Sequence, residues 1–250
     1  MILLVLPAYN EARALPSLLA RAARVAREPP GHALEAIVVD DGSDDGTSAA
    51  AASLPGLPVR VITHDRNRGP GAALNTGLRA ALAEAAARDA PEALVFTMDA
   101  DDTHPPELIP PMADLLRSGR DVVIASRYRP GSRVVGVPAY RRALSDGMSL
   151  LFRAAYPVAG VRDYSCGFRG YRAPVLRQAY DRWGDAFVSE TGFSGSVDIL
   201  IKLAHLGAAC AEVPLELRYD RKPGPSKMDA RRTALRTLVL LARRRAGRFD

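Results

Sequence analysis

Three apolar runs, each closing on polar or acidic residues, constrain this chain more than any other feature. Ile2–Leu6 leads into Pro7-Ala8-Tyr9-Asn10-Glu11, Leu34–Val39 into Asp40-Asp41-Gly42-Ser43, and Ala93–Met98 into Asp99-Ala100-Asp101. Val59–Ile62 and Asp121–Ser126 are further strand candidates, and stretches with helical spacing lie at Ala14–Arg27, Gly71–Arg88 and Glu107–Arg117. Short, nearly all-apolar strands alternating with helices predict a parallel sheet covered on both faces. That is a doubly wound α/β architecture. Ligands of such sheets sit outside the carboxyl ends of the strands. The three polar strand ends are therefore expected to meet at one crevice.

The pattern changes after about residue 127. Leu144–Tyr156 and Ser194–Leu206 read as helices and Cys210–Leu217 as a strand. Met228–Phe249 reads as a basic amphipathic C-terminal helix, so the expected division is a catalytic domain over 1–227 and an appended helix over 228–250. With 250 residues, 48% of them hydrophobic, such a chain buries roughly 70% of its unfolded surface and needs no staples. Cys166 and Cys210 are too few for a disulfide framework or a structural zinc site, which suits a reducing cytoplasm. Met1–Leu6 lacks the basic flank and length of a signal peptide, and no run of about 18 apolar residues suggests a membrane span.

The formal charge of +6 is concentrated at one end, where residues 228–250 hold seven Arg against two Asp. A charge confined to one end, without interleaved aromatics, speaks against nucleic acid. A basic amphipathic helix suits an anionic membrane surface, and equally a helix packed on the body with a solvated face.

Asp99-Ala100-Asp101 can place two carboxylates beside one cation. Mg²⁺ is typically held by one or two carboxylates plus substrate phosphates, so an open site of this kind suits a diphosphate. The competing reading is an acidic turn that caps the next helix. Asp40 and Asp41 can accept hydrogen bonds from a base or a ribose, while the rest of Asp40–Thr47 reads as a turn and helix cap. Arg66–Gly71 forms a glycine-containing approach to a helix N-terminus, a place that favours anions. No Gly-Lys-Ser/Thr follows it and no Gly-x-Gly-x-x-Gly follows the first strand, which counts against NTP hydrolysis and dinucleotide redox chemistry. Basic residues at Arg127, Arg141, Arg142 and Arg221–Lys227 are candidates for phosphate oxygens.

The ordered set resembles the inverting family-two glycosyltransferases of GT-A fold, in the branch of dolichyl- and polyprenyl-phosphate mannose synthases. The matching pieces are Leu6–Glu11, Val38–Ser43, Asn67-Arg68-Gly69, Met98–Asp101 with His104-Pro105-Pro106, Ser126-Arg127-Tyr128, Arg141 with Ser145, Asp163–Arg169, Glu212-Val213-Pro214 and Arg221–Lys227. No single piece is specific; their order from residue 6 to residue 227 is.

The resemblance implies a mostly parallel, Rossmann-like sheet between helices. It implies that Pro7, Tyr9, Glu11, Val39, Asp41, Asp99 and Ala100 bind the nucleotide sugar, and that Asp99 and Asp101 hold Mg²⁺ or Mn²⁺. Asp101, Arg127 and Arg141 are the implied catalytic residues, and Ser145, Arg221 and Lys227 the implied contacts to an acceptor phosphate. The implied activity is metal-dependent transfer of mannose from GDP-mannose, with inversion, onto polyprenyl or dolichyl phosphate. The implied location is the cytoplasm, or the cytoplasmic membrane face through peripheral contact or a membrane-anchored partner. Transfer to a soluble hydroxyl, a silent nucleotide-sugar-binding subunit and a nucleotidyltransferase are the competing readings. Thr103, Cys166 and Asp198 depart from the residues usual in the branch.

Overall fold

The computed structural model describes residues 1–28, 33–52, 56–190, 192, 194–224 and 230–249, the side chains of residues 230–232 and 234 excepted. The apolar runs become strands β1 (Ile2–Ala8), β2 (Leu34–Asp40), β3 (Val59–Thr63), β4 (Leu94–Thr97) and β5 (Val122–Ser126). The side chains of β1 are almost wholly buried, as a strand covered on both faces requires. Helix α1 (Leu15–Arg27) buries Leu15, Leu18, Leu19, Ala22 and Ala23, one stripe at helical spacing. Helices α2 (Thr47–Ala52), α3 (Pro70–Ala87) and α4 (Ile109–Arg117) complete the first half. Helix α3 lies so close to the sheet that a Cβ on Gly77 would come 2.3 Å from Val5 Cγ1.

The second half contributes β6 (Arg133–Val135), α5 (Ala139–Ala155), β7 (Arg169–Arg172), α6 (Ala173–Trp183), α7 (Gly195–His205), β8 (Cys210–Pro214), β9 (Glu216–Arg218) and α8 (Ala230–Arg245). The main sheet has the order β3-β2-β1-β4-β7-β5-β8. Its described pairs are parallel except those of β7, which runs antiparallel to β4 and β5. The chain steps outward from β1 to β3 and then returns to β4 on the other side of β1. That reversal opens a crevice between the ends of β1 and β4.

Strand β7 is not foreshadowed by the apolar pattern, because Arg169 and Arg172 bracket it. Arg169 is fully buried, and among the described residues no carboxylate pairs with it. It donates instead to the carbonyl oxygens of Cys166, Ser196 and Tyr164. The expected strand Cys210–Leu217 divides at Pro214, and β9 pairs with β6 in a second, two-stranded sheet. Proline has no N–H to extend a ladder.

Helix α8 buries Thr237, Leu240, Leu241 and Arg244 while Leu235, Leu238 and Val239 stay exposed. Its apolar residues are thus shared between the body and the outside. The anchor is ionic: Arg244 meets Asp198 of α7 at 2.7 Å, and Lys202 meets the same carboxylate at 3.1 Å. All three side chains are buried.

Candidate active site

Every polar strand end meets at one edge of the sheet and surrounds a cavity of about 820 Å³. Pro7, Tyr9 and Glu11 line it from the β1 end, Asp41 from β2, Asp99, Ala100 and Asp101 from β4, and Arg127 from β5. Because β7 runs the other way, the segment that precedes it, Ser165-Cys166-Gly167, enters at the same edge. Arg141 and Ser145 of α5 close the far side.

The loops after β1 and β2 hold each other. Asn10 N–H donates to Ser43 Oγ at 2.9 Å, Glu11 N–H to Thr47 Oγ1 at 2.9 Å, and Ala12 N–H to Asp45 at 3.0 Å. Asn10 adopts φ 54°, a left-handed conformation that asparagine tolerates. The two acids ending β2 divide their work. Asp40 accepts from Ser43 N–H and Ser48 Oγ, so it shapes its own loop and ties it to α2, whose first N–H is accepted by Asp45. Asp41 faces the cavity and accepts from Arg68 N–H at 3.0 Å and Gly69 N–H at 2.8 Å. Gly42, at φ 72°, permits this approach: a Cβ there would sit 2.5 Å from the Arg66 carbonyl carbon.

At the β4 end, Asp99 and Asp101 differ sharply. The Asp99 side chain is 57% exposed, opening onto the cavity. Enclosure within the cavity pushes its carboxyl above the usual range, with His104 opposing, Asp101's charge adding and Lys222 opposing. Asp101 is nearly buried; it accepts from Thr103 Oγ1 at 2.7 Å and Lys222 Nζ at 2.6 Å. Burial works against its charge, but Lys222 and His104 outweigh that and hold the carboxyl below the usual range. Asp102, the third acid, adopts φ 59° and points away, binding Ser17 Oγ and Arg21 of α1.

A divalent cation fits this pair. The Lys222 ammonium seated on Asp101 shows that this carboxylate draws positive charge. Among the described residues no cluster of three or more His, Cys, Asp or Glu could hold a metal. The protein's two carboxylates therefore suffice only with oxygens of a bound diphosphate, the usual arrangement for Mg²⁺.

Arg127 is held from behind. Its Nε and Nη2 donate to the two oxygens of Asp163 at 2.8 and 2.7 Å, and Nη2 also reaches Ser165 Oγ. Asp163 is fully buried, and Arg127 holds its carboxyl below the usual range against the opposing effect of burial. Glu212 Oε1 accepts the N–H groups of Arg162 and Asp163, both at 2.7 Å, fixing the turn that delivers Asp163. Arg141 donates to Tyr219 Oη at 3.1 Å, and Ser145 Oγ lies 3.0 Å from Tyr128 Oη.

Two of the expected site residues are placed elsewhere, and a third falls outside the described residues. Val39 is buried in the core beneath α3, its Cγ2 3.2 Å from where a Cβ on Gly77 would be, and offers no side chain to the cavity. Arg221 lines a separate groove with Arg13 and Arg24, because the tight turn Tyr219–Arg221 turns Lys222, not Arg221, toward Asp101. Lys227 lies outside the described residues. Lys222, Tyr219 and Asp163 emerge as site residues by geometry. Only the basic composition of Arg221–Lys227 hinted at Lys222, since its partner is 121 residues away.

The family model described as glycosyl transferase family 2 matches residues 3–179. The chain belongs to that family. Among curated relatives of this family-two chain, an undecaprenyl-phosphate mannosyltransferase of Micrococcus luteus is 35% identical over 91% of this chain and 87% of its own. A polyprenol monophosphomannose synthase of Mycolicibacterium smegmatis is 32% identical, with 90% and 80% covered. A dolichol-phosphate mannosyltransferase of Pyrococcus furiosus is 31% identical over 90% of this chain, which spans only 58% of that longer relative. Among solved structures, glucosyl-3-phosphoglycerate synthase from Mycobacterium tuberculosis, in complex with Mn²⁺, UDP and glucosyl-3-phosphoglycerate, superposes with a TM-score of 0.67 at 22% identity. It covers 99% of this chain and 80% of its own. This likeness carries the fold, which is the GT-A arrangement expected from the ordered motifs.

Proposed function

We propose that this family-two glycosyltransferase moves mannose from GDP-mannose, with inversion, to the phosphate of a polyprenyl or dolichyl lipid. One observation carries the reading: the cavity that gathers Asp99, Asp101, Arg127 and Arg141 is lined as well by Leu144, Met148, Leu150 and Phe152 of α5. Charged groups and apolar side chains lining one cavity suit an acceptor that is a phosphate on a hydrocarbon chain. The names of the relatives point the same way.

Tyr9, Glu11 and Asp41 would hold the base and ribose, with Pro7 and Ala100 shaping the walls. Asp99 and Asp101 would hold Mg²⁺ or Mn²⁺, which when bound neutralises charge growing on the departing diphosphate. Arg127, kept rigid by Asp163, adds positive charge at the cavity wall. Arg141 and Ser145 lie where the acceptor phosphate would enter; Lys227 and Arg221 are the further candidates for that phosphate. An acceptor phosphate oxygen forms a bond to the anomeric carbon as the bond to the β-phosphate oxygen breaks. The electron pair leaves with GDP. The phosphate is already an anion, so no base needs to remove a proton.

Residues 1–227 would form the catalytic domain and 228–250 an added helix that binds the cytoplasmic membrane face peripherally. No helix among the described residues is long and apolar enough to cross a membrane. Helices α5 and α8 pack together; α5 exposes Tyr140 and Leu150, and α8 exposes Leu235, Arg236 and Arg243. Exposed apolar side chains and arginines on a packed helix pair suit an anionic bilayer surface.

The deciding experiment incubates the protein with labelled GDP-mannose, Mg²⁺ and polyprenyl phosphate. Label extracted into organic solvent is expected. No transfer from GDP-mannose or any other sugar nucleotide would overturn the proposal.

A further inference from the structure

The proposed chemistry does not use a histidine that the fold buries directly behind Asp41. His64 follows β3, is 5% exposed in its side chain and does not line the cavity. Its Nδ1 lies 2.6 Å from Asp41 Oδ1, and its Nε2 lies 3.0 Å from Thr76 Oγ1 on α3. A carboxylate only accepts, so Nδ1 donates. Asp41 therefore receives three donors: His64 and Arg68 N–H on Oδ1, and Gly69 N–H on Oδ2. A carboxylate has about four acceptor positions, so one is left, on Oδ2. Asp41's side chain is only 3% exposed, and it lines the cavity.

We infer that His64 is a positioning residue for the donor's nucleobase. Together with the Arg68 and Gly69 N–H groups it sets Asp41 so that a single acceptor position meets the base. The inference rests on the reading of Asp41 as a base contact and adds what that contact selects. One acceptor position takes one ring N–H. Guanine N1–H and uracil N3–H supply it. Adenine and cytosine present an unprotonated ring nitrogen at the matching edge, so they could reach Asp41 only through the exocyclic amino group, with the base shifted from the position that guanine and uracil take. Sites built to hydrogen-bond one group reject analogues lacking it more strongly than apolar pockets reject a change of size. His64 acts by denying Asp41 freedom: without it Oδ1 loses a donor and the carboxylate can turn.

Titration calorimetry with GDP, UDP, ADP and CDP in Mg²⁺ tests this, with thermal melts run in parallel. The wild type is expected to bind GDP and UDP at least tenfold more tightly than ADP and CDP. His64→Leu is expected to weaken GDP and UDP about tenfold, the scale of one hydrogen bond to a charged group, while barely moving ADP and CDP. In transfer assays the loss should fall on the donor KM rather than on kcat. His64→Asn, which keeps an N–H near the Nδ1 position, should recover most of the affinity. A folded His64→Leu with the wild-type order and spread of affinities would overturn the positioning role. Should His64→Leu fail to fold, Thr76→Val decides: it should weaken GDP and UDP by two- to threefold, and an unchanged spread overturns the role. Asp41→Asn separates the two levels. If it leaves the base preference intact, the reading of Asp41 itself fails. If it erases the preference while His64→Leu preserves it, only the inference about His64 falls.

Discussion

Lys222 Nζ sits 2.6 Å from Asp101 Oδ2, an ion pair in which the two side chains are 12% and 10% exposed. The same ammonium lies 5.9 Å from the ring of Tyr219, whose hydroxyl accepts from Arg141. One short turn thus touches the proposed metal carboxylates and the proposed phosphate side together. Lys222 and a divalent cation would compete for the same carboxylate oxygen.

Removing that competitor should strengthen metal binding. Lys222→Met is expected to lower the Mn²⁺ dissociation constant roughly tenfold in the absence of donor. Electron paramagnetic resonance of free Mn²⁺ reads this directly. Equal or weaker binding would show that the ammonium supports the site rather than blocks it.

The Arg127–Asp163 pair should be worth more to the fold than an exposed pair. Asp163→Asn leaves a largely enclosed guanidinium without its counter-charge, at a cost of about 3 kcal/mol. Urea unfolding measures it. Transfer should fall as well, because Arg127 loses its fixed orientation; a variant of wild-type stability would refute the argument.

In the anchor of α8 the order of effects is the test. Asp198→Ala strands both Lys202 and Arg244, whereas Arg244→Ala leaves Asp198 its lysine. The first should destabilise by about 3–5 kcal/mol and the second by less. Denaturant midpoints in the reverse order would contradict this account of the network.

Peripheral membrane contact is expected to depend on exposed apolar side chains of α5 and α8. Leu150→Asp with Leu235→Asp should reduce sedimentation with vesicles containing anionic lipid, while GDP binding stays as in the wild type. Undiminished sedimentation would assign the lipid contact elsewhere.

Both cysteines should resist alkylation in the native protein. Burial, reinforced by the charge of Asp163, pushes the Cys166 thiol up to about 12. Burial pushes Cys210 up to about 11. The thiolate is the reactive form, so at pH 8 iodoacetamide should modify neither until the chain is unfolded. A raised acid also means that the unfolded state loses these protons first. Stability should therefore decline as pH rises above the ordinary thiol value near 9. Mass spectrometry of labelled protein checks the first statement, and denaturation midpoints across pH 8 to 10 check the second.

The apolar runs and the acids that close them determined the sheet and the edge where the site lies. Ile2–Leu6, Leu34–Val39 and Ala93–Met98 each carry their strand locally, and the residues after a parallel strand must emerge at its carboxyl end. Pro7, Asp41, Asp99 and Asp101 were legible for that reason. Tertiary structure alone decided the rest, because those choices rest on partners far apart in the chain. Asp40 turned to its own loop while Asp41 reached Arg68, Gly69 and His64. Val39 went under α3, and Arg221 turned away while Lys222 crossed 121 residues to Asp101. An antiparallel β7 entered between β4 and β5, its arginine satisfied by loop carbonyls. Periodicity records which face a residue shows its own element; it carries no record of which distant charge will meet it there.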